Sequence, residues 1–406
     1  MTDKTVVVIG GGAAGLMACG RLKERVKKVI LLEKNDILGK KLRITGKGRC
    51  NVTNAAPISE FFENIPTNSK FLYSALNNFT NIDLIELLKE LGVPTKTERG
   101  ARVFPESDKA RDVLEALTKF AKGKNVQILR AKASGIISEN GAVLGVETDK
   151  GIIKADSVIL ATGGASYRLT GSDGYGYKIA ETLGHTIVPI KPSLVPLTAK
   201  ENWTKELMGL TLKNVSVSFF SENGKKLYSD FGEMLFTHFG ISGPVVLSAS
   251  AHLRDKYPCK VHIDLKPALD NAALDKRILR DFEKFQKKHL INSLEELLPK
   301  SVIPVIIRLA GVNPHKETSN ISKEERKAVL SVIKALPLTV TGTRPIDEAI
   351  ITSGGVRVSE INPKTMESKL VKGLYFAGEI IDVDAYTGGF NLQIAFSTGI
   401  LAGENA

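Results

Sequence analysis

The chain has 406 residues, of which 43% are hydrophobic and 25% are charged, and its formal net charge is +12 at pH 7. This composition is typical of a globular protein of two or three domains and excludes a disordered or fibrous chain. No apolar run reaches the roughly 18 residues of a membrane helix, and no secretory pattern precedes the first apolar segment, so we expect a cytoplasmic protein without a membrane partner.

The cysteines and the excess of basic residues predict little specific chemistry by themselves. Cys19, Cys50 and Cys259 are far apart and odd in number, so no disulfide framework is expected, and no C-x-x-C pair supports a metal site. The lysines are dispersed rather than grouped in blocks, which favours a solvated surface over a nucleic-acid partner.

The chain opens with a predicted βαβ unit. An apolar, β-branched strand at 5–9 is followed by a helix from Ala13 to about Arg25 and by a second strand at 29–33. Between the first strand and the helix, Gly10, Gly12 and Gly15 form a G-x-G-x-x-G pattern, which is typical of a turn that presents a helix N-terminus to a pyrophosphate. This context predicts a dinucleotide site.

Glu33 ends the second strand, 18 residues after Gly15. A carboxylate at this place accepts a hydrogen bond from a ribose 2′-hydroxyl and repels a 2′-phosphate. The pattern therefore favours FAD or NAD over NADP, and these residues alone do not choose between the two.

The rest of the chain alternates between helical and strand-like segments. Helices are predicted at 68–92 and 110–122, and several strands at 126–160. Short alternating segments dominate from about 191 to 266 and suggest a small antiparallel barrel or sandwich, whereas 267–334 is helical and charged. We predict a nucleotide-binding domain from 1–190 and 345–406, a barrel-like substrate domain from 191–266 and 335–344, and a helical insert at 267–334.

Several further motifs appear in order along nearly the whole chain. They are LGKKLRITGKGRCNVTN at 38–54, GARVFPESDKA at 100–110, ATGGASY at 161–167, TGSDGYGYKIAETLGHTI at 170–187, MLFTHFGISGP at 234–244, TSGGV at 352–356 and GLYFAGEIIDVDAYTGGFNLQIAFSTG at 373–399. Together they resemble the BaiN-like, or YhiN-like, family of FAD-dependent oxidoreductases, whose relatives include aminoacetone oxidase, a bile-acid reductase and, more distantly, the fumarate reductase flavoproteins. One departure is Lys47, where many members carry glycine.

This resemblance implies an α/β fold with a Rossmann-like FAD-binding domain of the two-dinucleotide-binding-domain flavoprotein type, an inserted antiparallel β-barrel-like domain and a small helical insert. It implies FAD as the cofactor. The cofactor-binding residues that the fingerprint and the resemblance predict are Gly10, Gly12, Ala13, Ala14, Gly15, Glu33, Lys34, Lys41, Gly46, Gly48, Arg49, Asn51, Ala133, Ala161, Thr162, Gly163, Gly378, Glu379, Asp384, Gly389, Asn391, Leu392 and Gln393.

The catalytic residues are not identified by the sequence, because a flavin carries out the redox chemistry and the protein orients the substrate. The candidates are Arg49, Cys50, Asn51, His238 and Tyr386. Arg49 could bind an anion bidentately, and His238 could act as an acid or base. Each also has a plain structural interpretation.

Three functional hypotheses remain open at this stage. The first is an FAD-dependent oxidoreductase for a small organic substrate, acting as a reductase of an activated double bond or as an amine oxidase. The second is a flavin-dependent RNA-modifying enzyme, and the third is a non-catalytic flavin-binding protein. Because the chain has one complete G-x-G-x-x-G fingerprint, no separate NAD(P)H-binding domain is predicted. Transient NAD(P)H binding stays open, and the oligomeric state is not defined.

Overall fold

The computed structural model describes every residue from Met1 to Ala406 and divides into two compact units. The first unit joins Met1–Ser193 with Ile346–Ala406, and the second is the intervening segment Leu194–Pro345. Both ends of the chain therefore fold together around an insertion. None of the helices combines the length and the apolar character that crossing a membrane requires.

The first unit contains thirteen strands and seven α-helices. Its strands are β1 (Thr2–Ile9), β2 (Val26–Glu33), β3 (Thr53–Asn54), β4 (Thr95–Glu98), β5 (Arg102–Pro105), β6 (Val126–Arg130), β7 (Ala133–Glu139), β8 (Ala142–Thr148), β9 (Gly151–Lys154), β10 (Ser157–Leu160), β11 (Ile187–Ser193), β18 (Ile351–Val356) and β19 (Leu374–Phe376). Its helices are α1 (Ala13–Leu22), α2 (Ile58–Glu63), α3 (Tyr73–Asn78), α4 (Asn81–Glu90), α5 (Ala110–Ala121), α6 (Tyr175–Thr182) and α11 (Phe390–Asn405).

A parallel sheet organises this unit, in the order β19-β10-β1-β2-β6. The second half of β1, Val6 to Ile9, is buried, as is expected of a strand in a parallel sheet that is covered on both faces. Because the strands are parallel, their carboxyl ends meet at one edge. The loops that follow β1, β2, β10 and β19 therefore converge there, where ligands bind in open α/β sheets.

The helix predicted at 68–92 is wrong as a single element. A 3₁₀ turn at Ser69–Leu72, α3 and α4 replace it. The break lies at Phe79, which is extended, and at Thr80, whose side chain accepts a hydrogen bond from the Asp83 backbone in a capping box. This local N-cap starts a new helix despite the continuous apolar periodicity.

A buried histidine ties α6 to the segment that precedes β19. His185 Nδ1 lies 3.2 Å from Glu360 Oε2, and Nε2 lies 2.8 Å from the Ser368 hydroxyl oxygen. The ring also packs edge-on against Phe376, with 4.8 Å between ring centroids. Burial lowers the pKa of His185 below its usual 6.5, although the Glu360 carboxylate opposes this shift. The folded protein therefore holds a neutral imidazole.

The free energy of unfolding is expected to fall on acidification because of this histidine. Since the unfolded chain takes up the proton near pH 6.5 and the folded chain only at lower pH, the stabilisation is complete above about pH 7 and declines from pH 6.5 down to the folded pKa. One proton contributes at most about 1.4 kcal/mol per pH unit. Urea unfolding between about pH 5 and 7.5 should show a smaller pH dependence in His185→Gln than in the wild type. Equal slopes in the two proteins would contradict this assignment.

The second unit is a closed antiparallel barrel with four helices. The strands follow one another around the barrel as β12-β15-β14-β13-β16-β17. The elements are β12 (Leu197–Ala199), β13 (Thr211–Phe220), β14 (Lys226–Thr237), β15 (Gly240–Ser242), α7 (Pro244–Leu253), β16 (Cys259–Asp264), α8 (Asn271–Lys284), α9 (Ile303–Leu309), α10 (Lys323–Lys334) and β17 (Leu336–Thr343).

The helical segment and the barrel share one hydrophobic core. Leu274 and Ile278 of α8 are buried in the same cluster as Val261 of β16 and Leu338 of β17. The predicted fold class, a Rossmann-type domain with an inserted antiparallel barrel, is confirmed. The division into three domains at the stated boundaries stays a prediction.

Candidate functional site

The glycine turn after β1 depends on the absence of side chains. Gly10 has a φ of +109°, and a Cβ there would overlap with the carbonyl oxygen of Ala161. A Cβ on Gly15 would overlap with the carbonyl oxygen of Gly10. These two glycines therefore allow β1, α1 and the end of β10 to pack closely.

Gly12 differs from its neighbours because its surroundings are open. A Cβ on Gly12 would meet no protein atom within 4 Å. Gly12 is the N-cap of α1 without a side-chain cap, and no protein acceptor satisfies the N–H groups of Ala13 and Ala14. Free N–H groups at the positive end of a helix form a site for a phosphate. The turn thus fits a pyrophosphate that approaches over Gly12.

Glu33 lies beside this turn at the end of β2. Its carboxylate accepts hydrogen bonds from the backbone N–H of Gly11 at 2.9 Å and from the backbone and side-chain nitrogens of Asn35 at 2.8 Å. A carboxylate offers about four acceptor positions, so one remains for a ribose hydroxyl. Ala131, two residues before Ala133, donates its N–H to the Glu33 carbonyl, which places Ala133 near the same end of β2.

A lysine links the N-terminal loops to the C-terminal block. Lys41 Nζ lies 2.7 Å from Glu379 Oε2 and 2.8 Å from the Ser166 hydroxyl. The backbone N–H of Thr352 donates to Glu379 Oε1 at 2.9 Å. Because the side chains of Lys41 and Glu379 are only 22% and 21% exposed, this ion pair is shielded and connects the segments after β2, β10 and β19. Nearby, Lys34 pairs with Asp173 at 2.7 Å.

A second helix N-terminus comes from the C-terminal block. Gly389 caps α11 with a φ of +103°, and a Cβ there would overlap with the carbonyl oxygen of Thr53. Asn391 donates from its side chain to the carbonyl of Ala385 at 2.7 Å and accepts from that residue's N–H at 2.9 Å. The helix dipole at this end would favour negative charge on a bound cofactor.

Two predicted cofactor residues have side chains whose polar atoms form hydrogen bonds within the protein. Gln393 is fully buried; it accepts from Thr53 and donates to the carbonyl of Phe79. Asp384 is also fully buried and accepts hydrogen bonds from Ser193 and Ser353. A cofactor contact at these two positions would therefore involve the backbone.

The basic loop at 38–54 has an irregular backbone. Gly46, Lys47 and Gly48 all have left-handed φ values, of 56°, 58° and 86°. Lys47 therefore holds a left-handed backbone conformation that favours glycine, because a side chain is strained there. Lys47 is exposed and its side chain reaches no acidic group.

Arg49 is held by carboxylates rather than left free for a substrate anion. Its guanidinium contacts Glu98 at 2.5 Å and Asp108 at 2.6 Å, and it stacks over Phe104 at 4.2 Å from the ring centroid. Hydrogen bonds to Glu98 and Asp108 raise the pKa of Arg49. Its role as an anion-binding group would require it to exchange these partners.

The neighbours of Arg49 also have structural contacts. Cys50 is completely buried, and burial raises the pKa of its thiol to about 12, so it is not a thiolate at neutral pH. The Asn51 side chain donates to the carbonyls of Thr53 and Val103 and holds the loop against β5. Neither arrangement indicates a reacting group.

The remaining catalytic candidates lie in different units. His238 is exposed in the turn between β14 and β15 of the second unit, beside Phe239. Tyr386 lies in the first unit, just before α11, and is half-buried. Its backbone N–H donates to the carbonyl of Asn64 at 2.9 Å, which fixes this turn.

The structure brings many predicted cofactor residues to the carboxyl edge of the parallel sheet. They follow its strands β1, β2, β10 and β19: Gly10, Gly12, Ala13, Ala14, Gly15, Glu33, Lys34, Ala161, Thr162, Gly163, Gly378 and Glu379. Direct contact between each residue and the cofactor stays a prediction. The sequence did not assign a role to Gly11, Asn35, Ser166 or Thr352, which orient Glu33 and Glu379. Gly11, Ser166 and Thr352 fall within motifs of the sequence, whereas Asn35 falls outside them.

These features fit FAD and define the class of the protein. Gly12 is open, the N-termini of α1 and α11 carry no side-chain cap, and the Thr162 hydroxyl is buried without a protein partner. Two helix N-termini and a strand-end carboxylate suit a dinucleotide with a pyrophosphate and ribose hydroxyls. The family and the relatives of the chain complete this assignment: the protein is an FAD-dependent oxidoreductase of the Rossmann type.

The chain belongs to the family described as the HI0933-like protein Rossmann domain, whose model matches residues 4–405. It is 32% identical to a 3-dehydro-bile acid delta(4,6)-reductase of Clostridium scindens, over 98% of both chains. It is also 32% identical to a ribosomal RNA dihydrouridine synthase of Haemophilus influenzae, over 97% of this chain and 96% of the relative. The fold is similar to that of the 3-ketosteroid delta1-dehydrogenase from Sterolibacterium denitrificans, with a TM-score of 0.51, 12% identity and 99% coverage of both chains. These findings support a flavin and give no support for NAD(P)H.

Proposed function

We propose that the protein reduces a carbon–carbon double bond that is conjugated with a carbonyl group in a small organic molecule. The observation that carries this proposal is the likeness, over 98% of the chain, to a relative named as a delta(4,6)-reductase of 3-dehydro-bile acids. In a 3-oxo steroid, a double bond at position 4 is conjugated with the carbonyl. A conjugated carbonyl makes the far carbon electron-poor, so it accepts electrons from a reduced flavin.

The residues of the first unit have separate roles in this proposal. The N-terminus of α1, at Gly12 to Ala14, would hold the pyrophosphate, and Glu33 would hold a ribose hydroxyl. The ion pair of Lys41 and Glu379 would fix the loops that surround the rest of the cofactor. When bound and reduced, the flavin supplies two electrons and a proton to the substrate.

A second proton must come from an acid near the substrate. Cys50 is a poor candidate, because its thiol is completely buried and burial raises its pKa to about 12. Tyr386 is the candidate that lies in the first unit next to the N-terminus of α11. We propose Tyr386 as the residue that holds this proton, with a phenol suited to general-acid transfer.

The test uses the holoenzyme with FAD reduced chemically under anaerobic conditions. A 4-en-3-one steroid is then mixed with the reduced enzyme, and the return of oxidised-flavin absorbance is followed together with the saturated product. We expect rapid reoxidation and a product with two additional hydrogens, and no reoxidation with the matched saturated ketone. Reoxidation by oxygen alone, with reduction of the flavin by amines, would instead indicate an amine oxidase.

A second candidate function is the reduction of uridine in RNA. The relative from Haemophilus influenzae, named as a ribosomal RNA dihydrouridine synthase, is the observation that favours it. The ring double bond of uridine is likewise conjugated with a carbonyl, so the same chemistry would apply to a larger substrate. Mass spectrometry of unmodified ribosomal RNA treated with the reduced enzyme would detect the added hydrogens. Reduction of the steroid but not of RNA would exclude this candidate.

A further inference from the structure

A groove lies at the amino end of the parallel sheet, opposite the carboxyl edge where the cofactor residues converge. It has a volume of about 500 Å³. The residues that line it come from the starts of β1, β2 and β6: Asp3, Thr5, Lys27, Lys28, Lys124, Asn125, Val126 and Gln127. Its location excludes it as part of the proposed FAD site.

Basic residues surround this groove in excess. Segments 21–28 and 119–124 together carry eight lysines and arginines and one acidic residue, Glu24. Two of the cations are neutralised, because Arg21 pairs with Glu404 and Lys27 pairs with Asp3. Five exposed cations have no acidic partner: Lys119 in the last turn of α5, and the group formed by Arg25, Lys28, Lys122 and Lys124. We call these four residues the amino-edge cluster.

The backbone around the cluster is held in place by hydrogen bonds. The Asn125 side chain donates to the carbonyls of Lys23 and Val26, at 3.0 and 2.8 Å. Lys23 Nζ donates to the carbonyl of Phe120 at 2.7 Å. These contacts join the loop after α1 to the loop after α5, so two basic segments that are about a hundred residues apart form one surface.

The cluster exceeds what the ends of the two helices require. Cations at helix C-termini offset the helix dipole only within the last turn. Arg21 and Lys119 already lie in the last turns of α1 and α5, whereas Lys28 lies on a strand and Lys124 lies beyond the helix. Four like charges with no partner repel each other, which favours an anionic ligand that spans them.

We propose that the amino-edge cluster binds the phosphate backbone of RNA. The groove is also lined by the polar side chains of Thr5 and Gln127, which can donate to phosphate and ribose oxygens, as is typical of backbone contacts. A lipid surface would instead favour an apolar face for insertion, and the large apolar side chains exposed nearby are two, Met1 at 83% and Ile128 at 39%, which do not make such a face. The proposal adds a docking surface to the RNA candidate above, and binding does not depend on the reduction reaction.

The test compares RNA binding by two holoenzyme variants with the same change in charge. One carries Arg25→Gln, Lys28→Gln, Lys122→Gln and Lys124→Gln; the control carries Lys70→Gln, Lys89→Gln, Lys178→Gln and Lys364→Gln at exposed positions elsewhere in the first unit. Fluorescence anisotropy with a labelled RNA hairpin should show at least about a tenfold higher Kd for the first variant only. The salt dependence of its binding should also decrease, by about 0.9 in slope for each phosphate that the variant no longer neutralises.

A third variant separates charge from side-chain identity. Lys28→Arg, Lys122→Arg and Lys124→Arg preserve the charge and should bind the hairpin as the wild type does. Equal weakening in the amino-edge and control variants, or binding to phosphatidylserine vesicles but not to the hairpin, would overturn the proposal. These variants should reduce the steroid at the wild-type rate. If neither they nor the wild type reduces the steroid, that result contradicts the proposed function and leaves the RNA-binding proposal to be decided by the hairpin measurements.

Discussion

Gly12→Ala is expected to leave the apoprotein folded and to weaken FAD binding by at least about tenfold, or 1.4 kcal/mol. In the protein itself the new methyl group meets no atom within 4 Å, and Gly12 has an ordinary φ of −86°. The cost to the apoprotein is the difference between Gly and Ala at an N-cap, about 1 kcal/mol at most. The same methyl group would stand between a pyrophosphate and the free N–H groups of α1. Circular dichroism of the apoproteins and fluorescence titration with FAD measure the two effects separately.

Gly15→Ala provides the contrast for this experiment. Its Cβ would overlap with the Gly10 carbonyl oxygen, so it should destabilise the apoprotein before any cofactor is added. The pair therefore distinguishes a glycine that the fold requires from a glycine that the ligand requires. If Gly12→Ala binds FAD as tightly as the wild type, the pyrophosphate does not lie at the N-terminus of α1.

Local sequence signals were sufficient for the elements that frame the site. The apolar strand at 5–9, the glycine turn and Glu33 all fall at the start of the chain, and the structure places them as β1, the start of α1 and the end of β2. The barrel was also predictable, because alternating polar and apolar residues face opposite sides of a strand. The prediction of one helix at 68–92 is wrong because the capping box of Thr80 and Asp83 starts a new helix within a continuous apolar periodicity.

Contacts between distant segments could not be derived from the sequence. The guanidinium of Arg49 is bound by the carboxylates of Glu98 and Asp108, which lie 49 and 59 residues later in the sequence. The arginine that the sequence suggested for anion binding therefore forms ion pairs within the protein. The lysines are dispersed along the chain, yet the pairing of β2 with β6 brings two basic segments together. The distribution of charge along the sequence therefore does not predict the distribution of charge on the surface when neighbouring strands are distant in the sequence.

Gly399→Ala is expected to lower the free energy of unfolding by about 1–3 kcal/mol, the usual cost of overpacking, and also to weaken FAD binding. The Cβ would overlap with the carbonyl oxygen of Ala14, which is backbone and cannot rotate away. One turn later, a Cβ on Gly403 would lie 2.6 Å from the Ala18 carbonyl oxygen, so α11 approaches α1 closely along its length. Because Ala14 is in the first turn of α1, separating the helices displaces the N–H groups proposed to bind the pyrophosphate.

The gain in helix propensity from Gly to Ala, about 1 kcal/mol, acts in the opposite direction, so a net loss would show that packing dominates. Trp203, the single tryptophan, lies in the second unit, so its fluorescence follows that unit while circular dichroism and FAD release also follow the first. Gly342→Ala is the control, since its Cβ meets nothing closer than 3.7 Å. If Gly399→Ala unfolds at the wild-type urea midpoint and binds FAD with wild-type affinity, the prediction is wrong. The close approach of α11 to α1 would then not be needed for stability, and α1 alone would set the geometry of the site.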